Sequence, residues 1–163
     1  MDYLWAPWRL SYVTNTGRLA GQSCVFCSEL DSSESSSLKL HVGDQCFVIL
    51  NKYPYNNGHL LVVPKRHFAK LAEALPSELS ELMSLTGTAE RVLSEAYDPD
   101  GLNIGINIGR SAGAGVPGHL HIHVVPRWDG DTNFMTVTSE TRVMPEEPRQ
   151  TVERLKPLFQ RFS

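Results

Sequence analysis

"GHLHIHVVPRW" (residues 118–128) sets His119, His121 and His123 in strict alternation with Leu120, Ile122 and Val124. Side chains on a strand alternate between two faces, so the three imidazoles are expected on one face and the aliphatic residues on the other, the core face. Strand rise separates His119 from His123 by about 13 Å at Cα, whereas a zinc ligand nitrogen lies about 2.0–2.1 Å from the ion. That argues against one ion holding all three rings; a neighbouring pair is the most that could share one. With an unperturbed pKa of about 6.5, imidazole offers neutral nucleophiles and protonated donors near neutral pH. Such a row suits attack at phosphorus and protonation of a leaving group, the bland alternative being three unrelated histidines on a half-exposed strand.

Immediately upstream, "NIGRSAGAGVPG" (residues 107–118) is rich in glycine, which permits positive φ and lets backbone amides approach a ligand closely. A loop of this kind can cradle phosphate oxygens, although Gly-rich turns between strands also occur without any such role. Further upstream, "CFVIL" (46–50) and "HLLVVP" (59–64) are strand-like runs separated by the turn residues of "NKYPYNNG", a predicted hairpin. "LNIGINIG" (102–109) alternates as a half-buried strand leading into the Gly-rich loop.

Between them, Leu79, Leu82, Met83, Ala89, Val92, Leu93 and Ala96 recur at helical spacing from Pro76 to Tyr97, with Pro76 suited to the first turn and "DPDG" as the stop. Val152, Leu155, Leu158, Phe159 and Phe162 predict a second amphipathic helix near the C-terminus. Several strands with one long intervening helix predict an α+β fold around an antiparallel sheet, not repeated crossover units. A chain of 163 residues is expected to form one domain: an extension over 1–23, a core over about 24–130, and a tail with its helix over 131–163.

The formal net charge is −3, from 15 basic and 18 acidic residues, so no basic field favours nucleic acid, and a phosphate-bearing ligand needs local donors. No apolar run is long enough to span a bilayer, and the N-terminus lacks the order of a signal peptide, so the expectation is a cytoplasmic protein without membrane or nucleic-acid partners. The odd cysteine count, Cys24, Cys27 and Cys46, argues against a disulfide framework.

"HLHIHVV" resembles the His-x-His-x-His-x-x signature of the histidine triad family of nucleotide hydrolases and transferases, and "LNKYPYNNGHLLVVPKRH" resembles that family's upstream motif. The likeness runs from about Cys24 to Trp128. The flanking "WAPWR" and "GHLHIHVVPRWDGDTNFM" look most like the family's bacterial diadenosine tetraphosphate phosphorylases and hydrolases. The resemblance implies a sheet with one long central helix, paired as a homodimer. It also implies transfer of a nucleotidyl group from the α-phosphate of a dinucleoside polyphosphate to water or phosphate through a covalent nucleotidyl-histidine.

Position by position, the resemblance makes His121 the nucleophile and His123 the charge-stabilising donor at the leaving oxygen, with His59 supporting the nucleophile's orientation. Asn51 then matches a ribose-binding position and Asn107 one lining the phosphate site. Gly113, Gly115 and Val116 fall in the nucleotide-binding loop. Without the resemblance, the alternative reading of His59 is a structural residue at a strand start, and either Asn taken alone reads first as a turn or strand-end hydrogen-bonding group. Many members carry Ser or Thr three residues before the first triad histidine; here Val116 occupies that position, and backbone amides around 113–118 are expected to replace the hydroxyl.

"CVFC" taken alone is either half of a zinc site or a pair of packed or redox-active thiols. The resemblance supplies the other half, a closed structural zinc site of Cys24, Cys27, His67 and His119. Trp5, Trp8 and Trp128 suit packing within the chain or across a dimer, or a base-stacking platform. Two other outcomes remain open to sequence: a nucleotide-binding regulatory module without turnover, and a nucleoside phosphoramidase.

Overall fold

The computed structural model describes residues 24–32, 38–132 and 144–162. Trp5 and Trp8 therefore lie outside the described residues. The elements run α1 (Val25–Asp31), β1 (Lys39–Val42), β2 (Cys46–Leu50), β3 (Leu60–Pro64), α2 (Pro76–Tyr97), β4 (Gly101–Ile106), β5 (Ile122–Arg127) and α3 (Pro148–Phe162). All strand pairs are antiparallel and the sheet order is β1-β2-β3-β5-β4.

The predicted hairpin forms, with Cys46 opposite Pro64 and Leu50 opposite Leu60. All five positions of both β2 and β3 are buried, which explains their unbroken apolar runs: each strand is covered on both faces. On one face Cys46, Val48, Leu50, Leu60 and Val62 join Ile122 and Val124 against Leu82, Leu85, Ala89, Val92 and Leu93 of α2 and Leu155 and Phe159 of α3. On the other, Phe47, Ile49, Leu61 and Val63 form a smaller cluster with Phe26 of α1.

Helix α2 begins with Pro at its first turn, and the Glu78 carboxylate accepts the Leu75 N–H at 2.7 Å and the Arg66 Nε–H at 2.8 Å. It ends at Asp98 in the left-handed region, whose N–H donates to the Ser94 carbonyl. The apolar periodicity on this helix covers two stripes: Leu82, Val92 and Leu93 are buried, while Leu79 and Met83 face outward with Leu75.

Two boundaries differ from expectation, and two short elements were not expected. The ladder of β5 begins at Ile122, so His119 and His121 precede it: the Leu120 N–H donates outside the sheet, to the Phe68 carbonyl at 2.6 Å. Alternation survives nonetheless, since Leu120 joins the helix-side core with Ile122 and Val124. Strand β4 ends at Ile106 and is an edge strand with Asn103, Ile104 and Gly105 exposed, so it is less buried than its pattern suggests. Strand β1 and helix α1, of four and seven residues, carry too little periodicity to be read from sequence.

Candidate functional site

The strand registers gather the polar residues on the face opposite α2. Leu61 pairs with His123 and Gly105 pairs with His123 from the other side, so β5 brings its histidine between β3 and β4. His59 enters from the end of the β2–β3 connection. Gly58 before it adopts φ +72°, and a Cβ there would lie 3.1 Å from the Tyr97 ring and 3.2 Å from Leu93. Glycine thus meets both a backbone and a packing requirement, and His59 follows fully buried.

Hydrogen bonds assign a tautomer to each ring. His121 is buried, and its Nδ1–H donates to the His119 carbonyl at 2.8 Å, which leaves Nε2 with its lone pair. His59 accepts the Tyr55 backbone N–H at Nδ1, 3.0 Å, so its proton is on Nε2, which donates to His123 Nδ1 at 2.9 Å. His123 then carries its proton on Nε2, a buried atom with no hydrogen-bond partner among the described residues. A buried donor left unpaired costs free energy and points to a ligand that completes it.

The rings are close-packed: His121 and His123 lie 4.9 Å apart between centroids, and Tyr55 stacks on His123 at 5.6 Å and 21°. Burial disfavours the charged form of each imidazole. His123 is pushed down to about 4 and His59 to about 3, by desolvation first and neighbouring imidazoles second, and desolvation also lowers His121. At neutral pH the site therefore offers neutral nitrogen chemistry.

Asn51 is already engaged with this network. Its Oδ1 accepts the Tyr53 N–H at 3.0 Å and its Nδ2 lies against the His59 ring, 3.2 Å from Nδ1 and 3.5 Å from Nε2. The expected support of His121 by His59 takes another form, because the ring that His59 bonds is His123. Asn107 and His123 line one open pocket of about 280 Å³. In the Gly-rich loop, the amides of Gly113 and Ala114 are committed to the carbonyls of Arg110 and Gly109. Those of Gly115 and Val116 take no backbone partner among the described residues, while the Val116 side chain packs on the Phe47 and Phe26 cluster.

Sequence reading missed Tyr55, Asn103 and Arg127, which also line the pocket. Arg127 shares the parity of the three histidines, so period-two reading carried that signal two positions further than it was followed.

A second cluster lies beyond His119. The ligand atoms of Cys24, Cys27, His67 and His119 all fall within 4.8 Å of one another. Sγ of Cys24 is 3.3 Å and Sγ of Cys27 is 3.7 Å from His119 Nδ1, and Cys27 is 3.5 Å from His67 Nδ1. A tetrahedral zinc with Zn–S of about 2.3 Å and Zn–N of about 2.0 Å sets S and N about 3.6 Å apart, so the donor set fits. His119 Nε2–H donates to the Pro64 carbonyl at 2.8 Å, which turns Nδ1 toward the thiols, as the outer partner of a metal-ligating histidine does. Phe26, between the two cysteines in sequence, packs 5.4 Å from the His119 ring and 5.1 Å from His121.

Residues 32–130 match the family model of the HIT domain. The chain belongs to the HIT family. Among its relatives is an AP-4-A phosphorylase of Mycobacterium tuberculosis, 38% identical over 157 residues that cover 93% of this chain and 80% of the relative. A bis(5'-nucleosyl)-tetraphosphatase [asymmetrical] of Schizosaccharomyces pombe is 35% identical over 57% of this chain and 54% of its own length. A Zn-bound histidine triad family protein from Mycobacterium smegmatis superposes with a TM-score of 0.69 at 27% identity, covering 85% of this chain and 94% of that one. The phosphorylase and the tetraphosphatase are enzymes, and the HIT-family enzyme class carries to this chain. Among the described residues no helix is long and apolar enough to cross a membrane.

Proposed function

We propose that this enzyme cleaves dinucleoside polyphosphates at the α-phosphorus through a covalent nucleotidyl-histidine, with inorganic phosphate preferred over water as the acceptor. The observation that carries the reading is the directed chain from the Tyr55 amide through His59 to His123, which ends in an unpaired buried N–H beside a nucleophile whose other nitrogen is occupied.

In the first half-reaction His121 Nε2 forms a bond to the α-phosphorus as the bond from phosphorus to the bridging oxygen breaks. His121 keeps its Nδ1 proton and becomes a cationic phospho-imidazole, which the His119 carbonyl stabilises. His123 Nε2–H donates a hydrogen bond to the departing oxygen, where negative charge develops. In the second half-reaction an oxygen of inorganic phosphate, or of water that loses its proton to solvent, attacks phosphorus and the P–N bond breaks, its electron pair returning to Nε2 of neutral His121. Asn107 and the Gly115 and Val116 amides serve the phosphate oxygens, and Asn51 both positions His59 and faces the ribose.

Phosphate as acceptor rests on the phosphorylase being the relative with the greater coverage. Zinc is assigned to Cys24, Cys27, His67 and His119 as a closed structural ion; it ties α1 to the segment carrying the nucleophile and supplies no open coordination position. Cys24, Cys27 and Cys46 form no disulfide, which suits a reducing compartment, the cytoplasm.

The test supplies diadenosine tetraphosphate with and without inorganic phosphate, and compares wild type with His121→Ala. Wild type is expected to give ADP and ATP in phosphate, and His121→Ala to lose at least about a thousandfold in kcat, the scale of losing a nucleophile. AMP without phosphate dependence would assign a hydrolase. Equal turnover by His121→Ala would end the covalent mechanism.

A further inference from the structure

The pocket beside His123 does not stop at the reacting centre. It continues along β5 to Arg127, four residues on and about 13 Å away at Cα on the same face. The guanidinium is held from behind: Nε and Nη2 donate to the two oxygens of Asp131 at 2.6 and 2.8 Å, and Nη1 donates to Asn103 Oδ1 at 2.7 Å.

The Asp131 side chain is only 8% exposed, against 44% for Arg127. Its carboxylate is shared with Asn56 Nδ2 at 2.8 Å, the Trp128 amide at 3.2 Å and Thr132 Oγ1 at 3.2 Å. The carboxylate is therefore the buried anchor and the cation is the presented group. A guanidinium has five N–H donors, and those bonds use three, so two remain for a ligand. Because burial keeps His123 neutral, Arg127 is the one full cation among the pocket's lining residues.

We propose that Arg127, presented by Asp131 and Asn103, binds the phosphates of the leaving nucleotide and so makes the enzyme select polyphosphate substrates over those with a small uncharged leaving group. The proposal rests on the nucleotidyl-transfer reading of the site and adds a specificity determinant to it. The chemistry is the usual match of a forked guanidinium to phosphate oxygens, in a pocket that opens from the donor aimed at the departing oxygen. Asn103 acts through Arg127 by fixing its orientation.

Two measurements separate this from a purely structural clamp on residues 127–131. In the first, Arg127→Gln is expected to lower kcat/KM for diadenosine tetraphosphate at least tenfold, mostly through KM. Turnover of adenosine 5'-phosphoramidate, which places little beyond the α-phosphate, stays within twofold. Arg127→Lys, which keeps the charge without the fork, recovers part of the loss. Equal losses on both substrates, or no loss on either, would overturn the proposal.

The second needs no turnover: calorimetric titration with ATP and with AMP. Wild type is expected to bind ATP more tightly than AMP, and Arg127→Gln to reduce that preference at least tenfold while its AMP affinity and thermal midpoint stay near those of wild type. An unchanged ATP preference refutes the Arg127 assignment even if the enzyme turns over. Absence of turnover in wild type would instead refute the nucleotidyl-transfer reading and leave this titration to decide the subsite.

Discussion

A neutral imidazole has one proton and one lone pair, so each hydrogen bond it makes decides which nitrogen is left for chemistry. The carbonyl of His119 commits one nitrogen of His121, and the Tyr55 amide commits one of His59 and, through it, one of His123. Their neutrality has a pH signature. His59 and His123 are held at about 3 and about 4, while the same side chains in the unfolded chain titrate near 6.5. The folded state therefore binds fewer protons than the unfolded state between those values. Its advantage is complete above about pH 6.5 and is lost as pH falls toward 4 and then 3. The acid limb of kcat/KM is accordingly expected well below 6.5, with stability declining across the same window. A limb at or above 6.5 in a pH–rate series would show that these rings are not held neutral.

At the scale of elements, α1 has seven residues, no side-chain cap at its N-terminus and one buried side chain, Phe26. A helix that short is marginal on its own, so its placement depends on what fixes its ends. The Cys and His cluster gathers around the N-terminal end, Lys39 Nζ donates to the Leu30 and Ser32 carbonyls at the other, and Phe26 packs on the rings of His119 and His121. Replacing Cys24 and Cys27 with Ser is expected to take zinc from one per chain to near zero and to lower the thermal midpoint by roughly 5 °C or more. A fall in kcat should accompany it, because the packing behind His121 is lost. Metal quantitation on protein never exposed to added zinc, followed by thermal melts with and without chelator, checks this; a metal-free protein of unchanged stability would remove the assignment. The dependence of α1 on side chains far away in sequence is also why it was not legible there. The runs of β2 and β3 and the long period of α2 announce themselves, because their burial is repeated at many positions. The four residues of β1, and Asp131 behind Arg127, owe their roles to neighbours that only the fold supplies.

For the whole molecule, the sheet ends unevenly. Strand β1 is short and packed by α3, whereas β4 leaves six residues on an edge with Ile104 46% exposed. Elsewhere, helix α2 turns Leu79 and Met83 outward, four residues apart and therefore on one side of the helix, with Leu75 exposed at its N-cap. An edge strand unpaired among the described residues, with Ile104 exposed on it, invites pairing with another copy, and a two-fold axis across β4 would extend the sheet without a new fold element. We propose such a homodimer, and it bears on function because Asn103 on β4 is also the residue that orients Arg127. Light scattering at micromolar concentration is expected to give twice the chain mass of 18.2 kDa, and Ile104→Lys to shift the population to monomer by placing a charge at the joint. If the joint orders β4, the monomeric variant should lose more activity on diadenosine tetraphosphate than on adenosine 5'-phosphoramidate, since His121 lies just before β5 and off the edge strand while Asn103, Ile104 and Gly105 of β4 line the leaving-group pocket. A wild-type monomer would overturn the homodimer, and an Ile104→Lys dimer would place the contact elsewhere.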